Sequence, residues 1–453
     1  MTDRQDAETR AGAGPETSEL FIGIEVPKAQ ETVAATARTL AVERASLRKF
    51  AARVVLFFVP LVLLALGIEL LLWRTGETWS LERVITAQER NPHAFFSRDV
   101  IDHGTFRYKY LQVLRRHPQI LVLGSSRVMQ FRAEMFGAQA GDFYNAGGMI
   151  HSIEDLNNFL DRLPPDATPK IVILGIDFWW LNSNIQRAAV DAFAVGVEEE
   201  GTYDWQGHAN LLSGYVRHPR TLGRAIRYSF GKKYNPNAIG LQAVLRGMGF
   251  RADGSKRFNL KVPTTPEGWS HRFPSAKKID RYIRKGEFPF AFTAGVSQPL
   301  LEQLRIAILK LKARGVFVVA YNPPVIAEWD RVASIAPGQK DFWREYHETL
   351  PHFFKALDVP FFDVVTTRQF GLDDRYMRDR YHAYETFTLR VLRQFCDDAR
   401  IRAALPYVPA VAERALASPK TNPLIPDLPD PVAGPVGELS EKAKGRTAPD
   451  EMD

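Results

Sequence analysis

Three observations predict an α/β fold built on a doubly wound, mostly parallel sheet. Ile120–Gly124 and Lys170–Gly175 are apolar along almost their whole length, as strands buried on both faces are. Such segments alternate with helix-length stretches, which is the pattern of parallel βαβ units. The first strand runs directly into Gly124-Ser125-Ser126-Arg127, so hydroxyls stand at the carboxyl edge, where open α/β sheets carry their chemistry.

In chain order, residues 1–53 form a tail whose first 18 residues are polar and disorder-prone. Glu19–Pro27 is an isolated apolar patch, either a docking motif or a stretch resting on a membrane, and Glu31–Arg53 reads as helix. Residues 54–73 are apolar except for Glu69 and are long enough to cross a bilayer as a helix. Arg44, Arg48, Lys49 and Arg53 crowd the N-terminal side of this run. The positive-inside rule therefore keeps residues 1–53 in the cytoplasm and sends 74–453 across the inner membrane, as a single-pass anchor. Glu69, about 6 Å from the outer end at helical rise, either snorkels or meets an integral-membrane partner.

Residues 74–117 read as a mostly helical neck or cover. The core then occupies 118–182 and 297–402. Its expected elements are strand Ile120–Gly124, a helix near Val128–Phe136, strand Phe143–Asn145, a helix over Ser152–Leu163 and strand Lys170–Gly175. After the insertion come helix Pro299–Arg314, strand Val316–Tyr321, a helix near Asp341–Leu357, strand Pro360–Val364 and a last helix over Tyr384–Ile401. The 183–296 insertion is large, basic and aromatic-rich: from Arg217 to Arg257 the only acid is Asp253. Cations interleaved with rings suit an anionic glycan, and equally a solvated face near an anionic membrane. Residues 403–453 form a Pro-rich tail with no helical or strand pattern, either disordered or hugging the surface.

The formal charge of +7 is modest for 453 residues and does not argue for nucleic acid. Cys396 is the only cysteine, so the chain can form neither an internal disulfide nor a thiolate cluster. With no zinc-type spacing, Walker loop or G-x-G-x-x-G, no metal or cofactor is expected.

Asp379-Arg380-Tyr381-His382 precedes the last helix. An Asp three residues before a His can turn its carboxylate onto the imidazole Nδ1–H, leaving Nε2 to accept a proton. The loop before that helix also opens at the carboxyl edge. Ser126, Asp379 and His382 can then form a nucleophile–orienter–base set. The plainer alternatives are a serine N-cap and a helix-capping histidine with a local partner.

With these blocks the chain resembles the SGNH/GDSL hydrolase superfamily, whose fold is flavodoxin-like. Gly124-Ser125-Ser126 matches the first block, with Ser126 as nucleophile, and Asp379/His382 match the last block. Asn145-Ala146-Gly147-Gly148 matches the second block loosely. The resemblance implies an oxyanion hole drawn from the backbone of Ser126 and of Gly147 or Gly148. In the third block, Asp177 stands where the family has an Asn donor. A carboxylate cannot donate a hydrogen bond. Asp177 is then a strand-end cap, or Asn182 or Asn184 reaches in, or the hole lacks that donor. Arg127, Asp177 and Trp179 are the candidate substrate-binding residues.

Behind a single-span anchor, such a domain resembles the accessory proteins of envelope-polymer acylation, such as the D-alanylation protein DltD and the SGNH partners of alginate and peptidoglycan O-acetylation. The implied activity is extracytoplasmic acyl transfer or ester hydrolysis on a cell-envelope polysaccharide. The implied partners are that glycan, or another acylated polymer, and an integral-membrane acyl-transfer protein. The other reading is a non-catalytic glycan-binding or scaffolding protein of a polysaccharide assembly complex.

Overall fold

The computed structural model describes residues 26–99, 105–185, 205–232, 234–258, 276–286, 289–417 and 424–429. The polar tail and most of the Glu19–Pro27 patch lie outside them. The chain divides into two units, Met1–Ile68 and Glu69–Asp453. In the first, all described residues belong to one helix, α1 (Val26–Thr75), whose last two turns are part of the second unit. This helix is long and apolar enough to cross a membrane.

The centre of the second unit is a five-stranded parallel sheet: β1 (Ile120–Leu123), β2 (Phe143–Asn145), β3 (Ile171–Gly175), β4 (Phe317–Asn322) and β5 (Phe361–Asp363), in spatial order β2-β1-β3-β4-β5. All four residues of β1 and all five of β3 are buried, which explains their unbroken apolar runs. Leu123 pairs with Leu174, so β1 and β3 end side by side. The strand order reverses at this pair, and the crevice outside such a reversal is the usual ligand site of open α/β sheets.

Between the strands run α2 (Ile153–Arg162), α3 (Gln298–Ala313) and α4 (Lys340–Ala356), and α5 (Glu385–Phe395) follows the last strand. Ser152 caps α2, its Oγ accepting the Asp155 N–H at 3.1 Å. Two sequence expectations fail locally. The helix expected near Val128–Phe136 is replaced by 3-10 segments at Ser126–Val128 and Ala133–Asp142. The Asn145 side chain donates to the carbonyls of Val128 and Phe131, drawing off acceptors that an α-helix would use. The last helix stops at Phe395, because Asp398 caps a separate helix at Ala399–Ala404.

The neck and the insertion fold together. Neck strand Phe95–Phe96 pairs parallel with Ala238–Ile239 and antiparallel with Gly249–Arg251, which in turn pairs with Lys256–Arg257. Glu69 also has a contact within the chain: its Oε1 lies 3.1 Å from His208 Nε2. Residues 408–417 of the C-terminal region depart from the expectation of no helical pattern there. Val408–Ala417 is a helix that buries Val408, Val411, Ala412 and Ala415 at helical spacing.

A buried ion cluster joins distant segments: Glu385 accepts from Arg132 at 2.7 Å and from Arg251 at 2.9 Å, while Arg132 also donates to the Pro429 carbonyl at 2.6 Å. Burial works against the charge on Glu385, but the two guanidinium groups hold its pKa down to about 2.

Candidate active site

Beyond β1 the backbone turns sharply at Gly124, whose φ of 147° suits a residue without a side chain. A Cβ there would stand 3.0 Å from Val128 and 3.2 Å from the Gly175 carbonyl, so the turn packs against the end of β3. Ser125 is buried and caps the short 3-10 segment, accepting the Arg127 N–H. Of the two serines, then, Ser125 has the capping role and Ser126 is left half-buried at the sheet edge.

The Oγ of Ser126 lies 2.8 Å from His382 Nε2, across 256 residues of sequence. On the far side of the ring, Nδ1 is 2.8 and 2.7 Å from the two Asp379 carboxylate oxygens. One of those oxygens also accepts the backbone N–H groups of Tyr381 and His382. Burial pushes the Asp379 pKa up, but the His382 imidazole and the Tyr381 N–H outweigh it and hold the carboxyl at about 2. An ionised carboxylate only accepts, so Nδ1 carries its proton and Nε2 faces the serine hydroxyl as an acceptor. The His382 side chain is 16% exposed and that of Asp379 37%, so the set is open to solvent.

A short hairpin holds the histidine. Met377 bridges Ala383, Arg378 N–H donates to the His382 carbonyl at 2.7 Å, and Ile326 N–H donates to the Arg380 carbonyl at 2.9 Å. The Tyr381 ring stands edge-on to Trp329.

The expected oxyanion donors other than Ser126 have other partners. Gly147 N–H donates to the Asn145 carboxamide oxygen at 2.7 Å, and Gly148 N–H to the Gly124 carbonyl at 2.9 Å. The first closes the tight turn after β2, and the second continues the pairing of β2 with β1 beyond Ala146. Asn182 is buried and donates to the Ala291 carbonyl at 2.6 Å, and Asn184 donates to the Phe292 carbonyl. Each asparagine therefore commits a carboxamide N–H to the 291–292 backbone.

The proposed substrate-binding residues are structural instead. Arg127 Nη1 meets Asp177 Oδ1 at 3.0 Å, with side-chain exposures of 0% and 1%. The same guanidinium donates to the carbonyls of Pro323 and Pro324 beyond β4, and to that of Tyr381 in the histidine loop at 3.4 Å. Burial pushes the Asp177 pKa up while Arg127 pulls it down; burial is the larger effect. Trp179 is buried too, its indole N–H donating to the His151 carbonyl, and its ring lies beside the Arg127 guanidinium. With its donors committed to these groups, the guanidinium has no open face for a ligand.

The sequence reading missed this Arg127–Asp177 pair, although opposite charges just past the ends of two neighbouring strands were a usable signal. It also missed the stacked arginines on either side of Asp379: Arg378 lies over Phe258 at 3.8 Å, and Arg380 lies near Tyr282 and Trp329 at 5.3 and 5.2 Å. Among the described residues, no group of three or more His, Cys, Asp or Glu is placed to hold a metal ion.

Comparison with protein-family models, curated proteins and solved structures finds no match to this chain.

Proposed function

We propose that the chain is a membrane-anchored, extracytoplasmic serine acyltransferase or esterase of SGNH-like, flavodoxin-like architecture, acting on a cell-envelope polysaccharide. The observation that carries this reading is the Ser126–His382–Asp379 relay, with contacts of 2.8 and 2.7 Å across segments remote in sequence. In this mechanism Ser126 Oγ attacks the acyl carbonyl carbon while His382 Nε2 takes the hydroxyl proton. The tetrahedral intermediate collapses, the C–O bond to the donor breaks, and His382 returns the proton to the departing oxygen. The acyl group is then on Ser126. An acceptor hydroxyl, deprotonated by His382, takes it in transfer, and water takes it in hydrolysis. Asp379 fixes the tautomer and stabilises the imidazolium formed in each step. The Ser126 backbone N–H is the oxyanion donor in this scheme.

A second reading has its own support. With Gly147, Gly148 and Asn182 bonded elsewhere, the site is short of oxyanion donors, and losing one donor typically costs about a hundredfold or more in rate. In that reading the domain binds or scaffolds a glycan without chemistry. The test is to replace the chromosomal copy with Ser126→Ala and measure ester-linked acyl groups on the surface polymer. A fall supports the transferase and a rise the esterase. Unchanged ester, in a strain where deleting the whole protein does change it, supports the scaffold.

A further inference from the structure

From Trp205 to Lys232 the chain contains no carboxylate. Helices Trp205–Arg217 and Pro219–Phe230 occupy most of this stretch. At about 3.6 residues per turn, the second helix shows three stripes. Ala225 and Ser229 form the buried one. Arg220, Arg224 and Arg227 form a second, exposed to solvent, and among the described residues none of the three makes an ion pair. Ile226 and Phe230 form the third, left 48% and 51% exposed. A soluble surface has little use for an apolar stripe beside an unpaired arginine stripe. A helix lying in a lipid interface needs both: the apolar side chains enter the acyl boundary while the guanidinium groups meet phosphate.

The position of these helices in the fold points the same way. His208, in the first helix, meets Glu69 in the last turns of α1 at 3.1 Å. Beyond the second helix, Tyr234 accepts a hydrogen bond from Arg74 at 3.1 Å and stacks under its guanidinium. Gly240 N–H then donates to the Thr75 carbonyl at 2.7 Å, and Leu241 N–H to Glu77 at 2.6 Å. The segment therefore leaves the end of the apolar helix and returns to it. Leu70 and Trp73, at that same helix end, and Leu212 are also exposed apolar side chains.

We propose that the Arg220/Arg224/Arg227 and Ile226/Phe230 face of helix Pro219–Phe230 docks on the surface of a bilayer containing anionic phospholipid, beside the point where α1 emerges. The proposal rests on α1 spanning the membrane, and it is independent of any chemistry at Ser126. Charge selects the occupant: an arginine stripe that makes no ion pair among the described residues, in a stretch without carboxylates from Trp205 to Lys232, complements phosphate headgroups, and the adjoining apolar stripe has no use against a hydrated polysaccharide.

The test uses the full chain in nanodiscs, with a polarity-sensitive fluorophore on Gly223→Cys. Gly223 lies between the two exposed stripes, and a Cβ there meets nothing within 4 Å. The buried native Cys396 is checked on the unsubstituted chain. In phosphatidylglycerol-containing discs the probe is expected to be quenched by headgroup-level nitroxide lipid and shielded from iodide. In phosphatidylcholine-only discs, lipid quenching should fall severalfold, as it should with Arg220→Gln/Arg224→Gln/Arg227→Gln. Equal iodide access in both lipids would overturn the proposal. Protection by a soluble polyuronate instead of by lipid would overturn it in favour of a glycan face. A chain that fails to enter discs would sink the anchoring premise as well, and that outcome is recognised by its separate elution.

Discussion

Arg127 and Asp177 form a buried ion pair, at 3.0 Å, just beyond the ends of neighbouring strands β1 and β3. Because Arg127 directly follows Ser126 and also donates to the Tyr381 carbonyl, one guanidinium ties the serine turn to the histidine loop. Removing one partner of a buried pair leaves an uncompensated charge, at a cost of about 3–5 kcal/mol. Asp177→Asn is therefore expected to lower unfolding stability by that order in urea titrations of the purified protein. Arg127→Met should cost less, since burial already favours the protonated Asp177 that it would leave behind.

In the proposed mechanism Asp379 acts through the imidazole. Asp379→Asn leaves the geometry nearly unchanged but favours the wrong tautomer, and should slow serine acylation on the order of ten-thousandfold. The wild-type carboxyl ionises near 2, so it is charged throughout the neutral range. The carboxyl itself should then add no step to the pH profile of wild-type acylation between about pH 5 and pH 8, as measured by acylation rates across that range.

Glu385 gives a stability signature in acid. Its folded pKa of about 2 lies below the value of about 4.3 for a free Glu. A depressed acid contributes stability that is fully present above the unfolded pKa and is lost as pH falls through the folded one. Wild-type stability should therefore drop between about pH 4.5 and pH 2, by roughly 3 kcal/mol from this group. Glu385→Gln should be less stable at neutral pH and should flatten that part of the curve, as read from urea midpoints across pH.

The sequence made the parallel sheet legible because strands buried on both faces leave unbroken apolar runs, as in Ile120–Leu123 and Ile171–Gly175. The relay was legible because its parts are local: a strand-end serine, and an Asp three residues before a His. The oxyanion donors were not, since the hydrogen bond from Gly147 to Asn145 belongs to a turn and that from Gly148 to Gly124 to the end of a strand pairing. Reading Arg127 as a ligand contact failed for a related reason. Its ion pair and carbonyl partners come from two separate strand ends and a loop, which no local pattern brings together. The small sheet of neck and insertion escaped notice because two- and three-residue strands have too short a period to detect.

The central claim is that Ser126 is a nucleophile activated by His382, and fluorophosphonate labelling of the full-length protein tests it most directly. One label per chain is expected, mapped to the peptide containing Ser126, abolished by Ser126→Ala and strongly slowed by His382→Ala. A folded wild-type protein that takes up no label, or takes it up equally after Ser126→Ala, would contradict the claim.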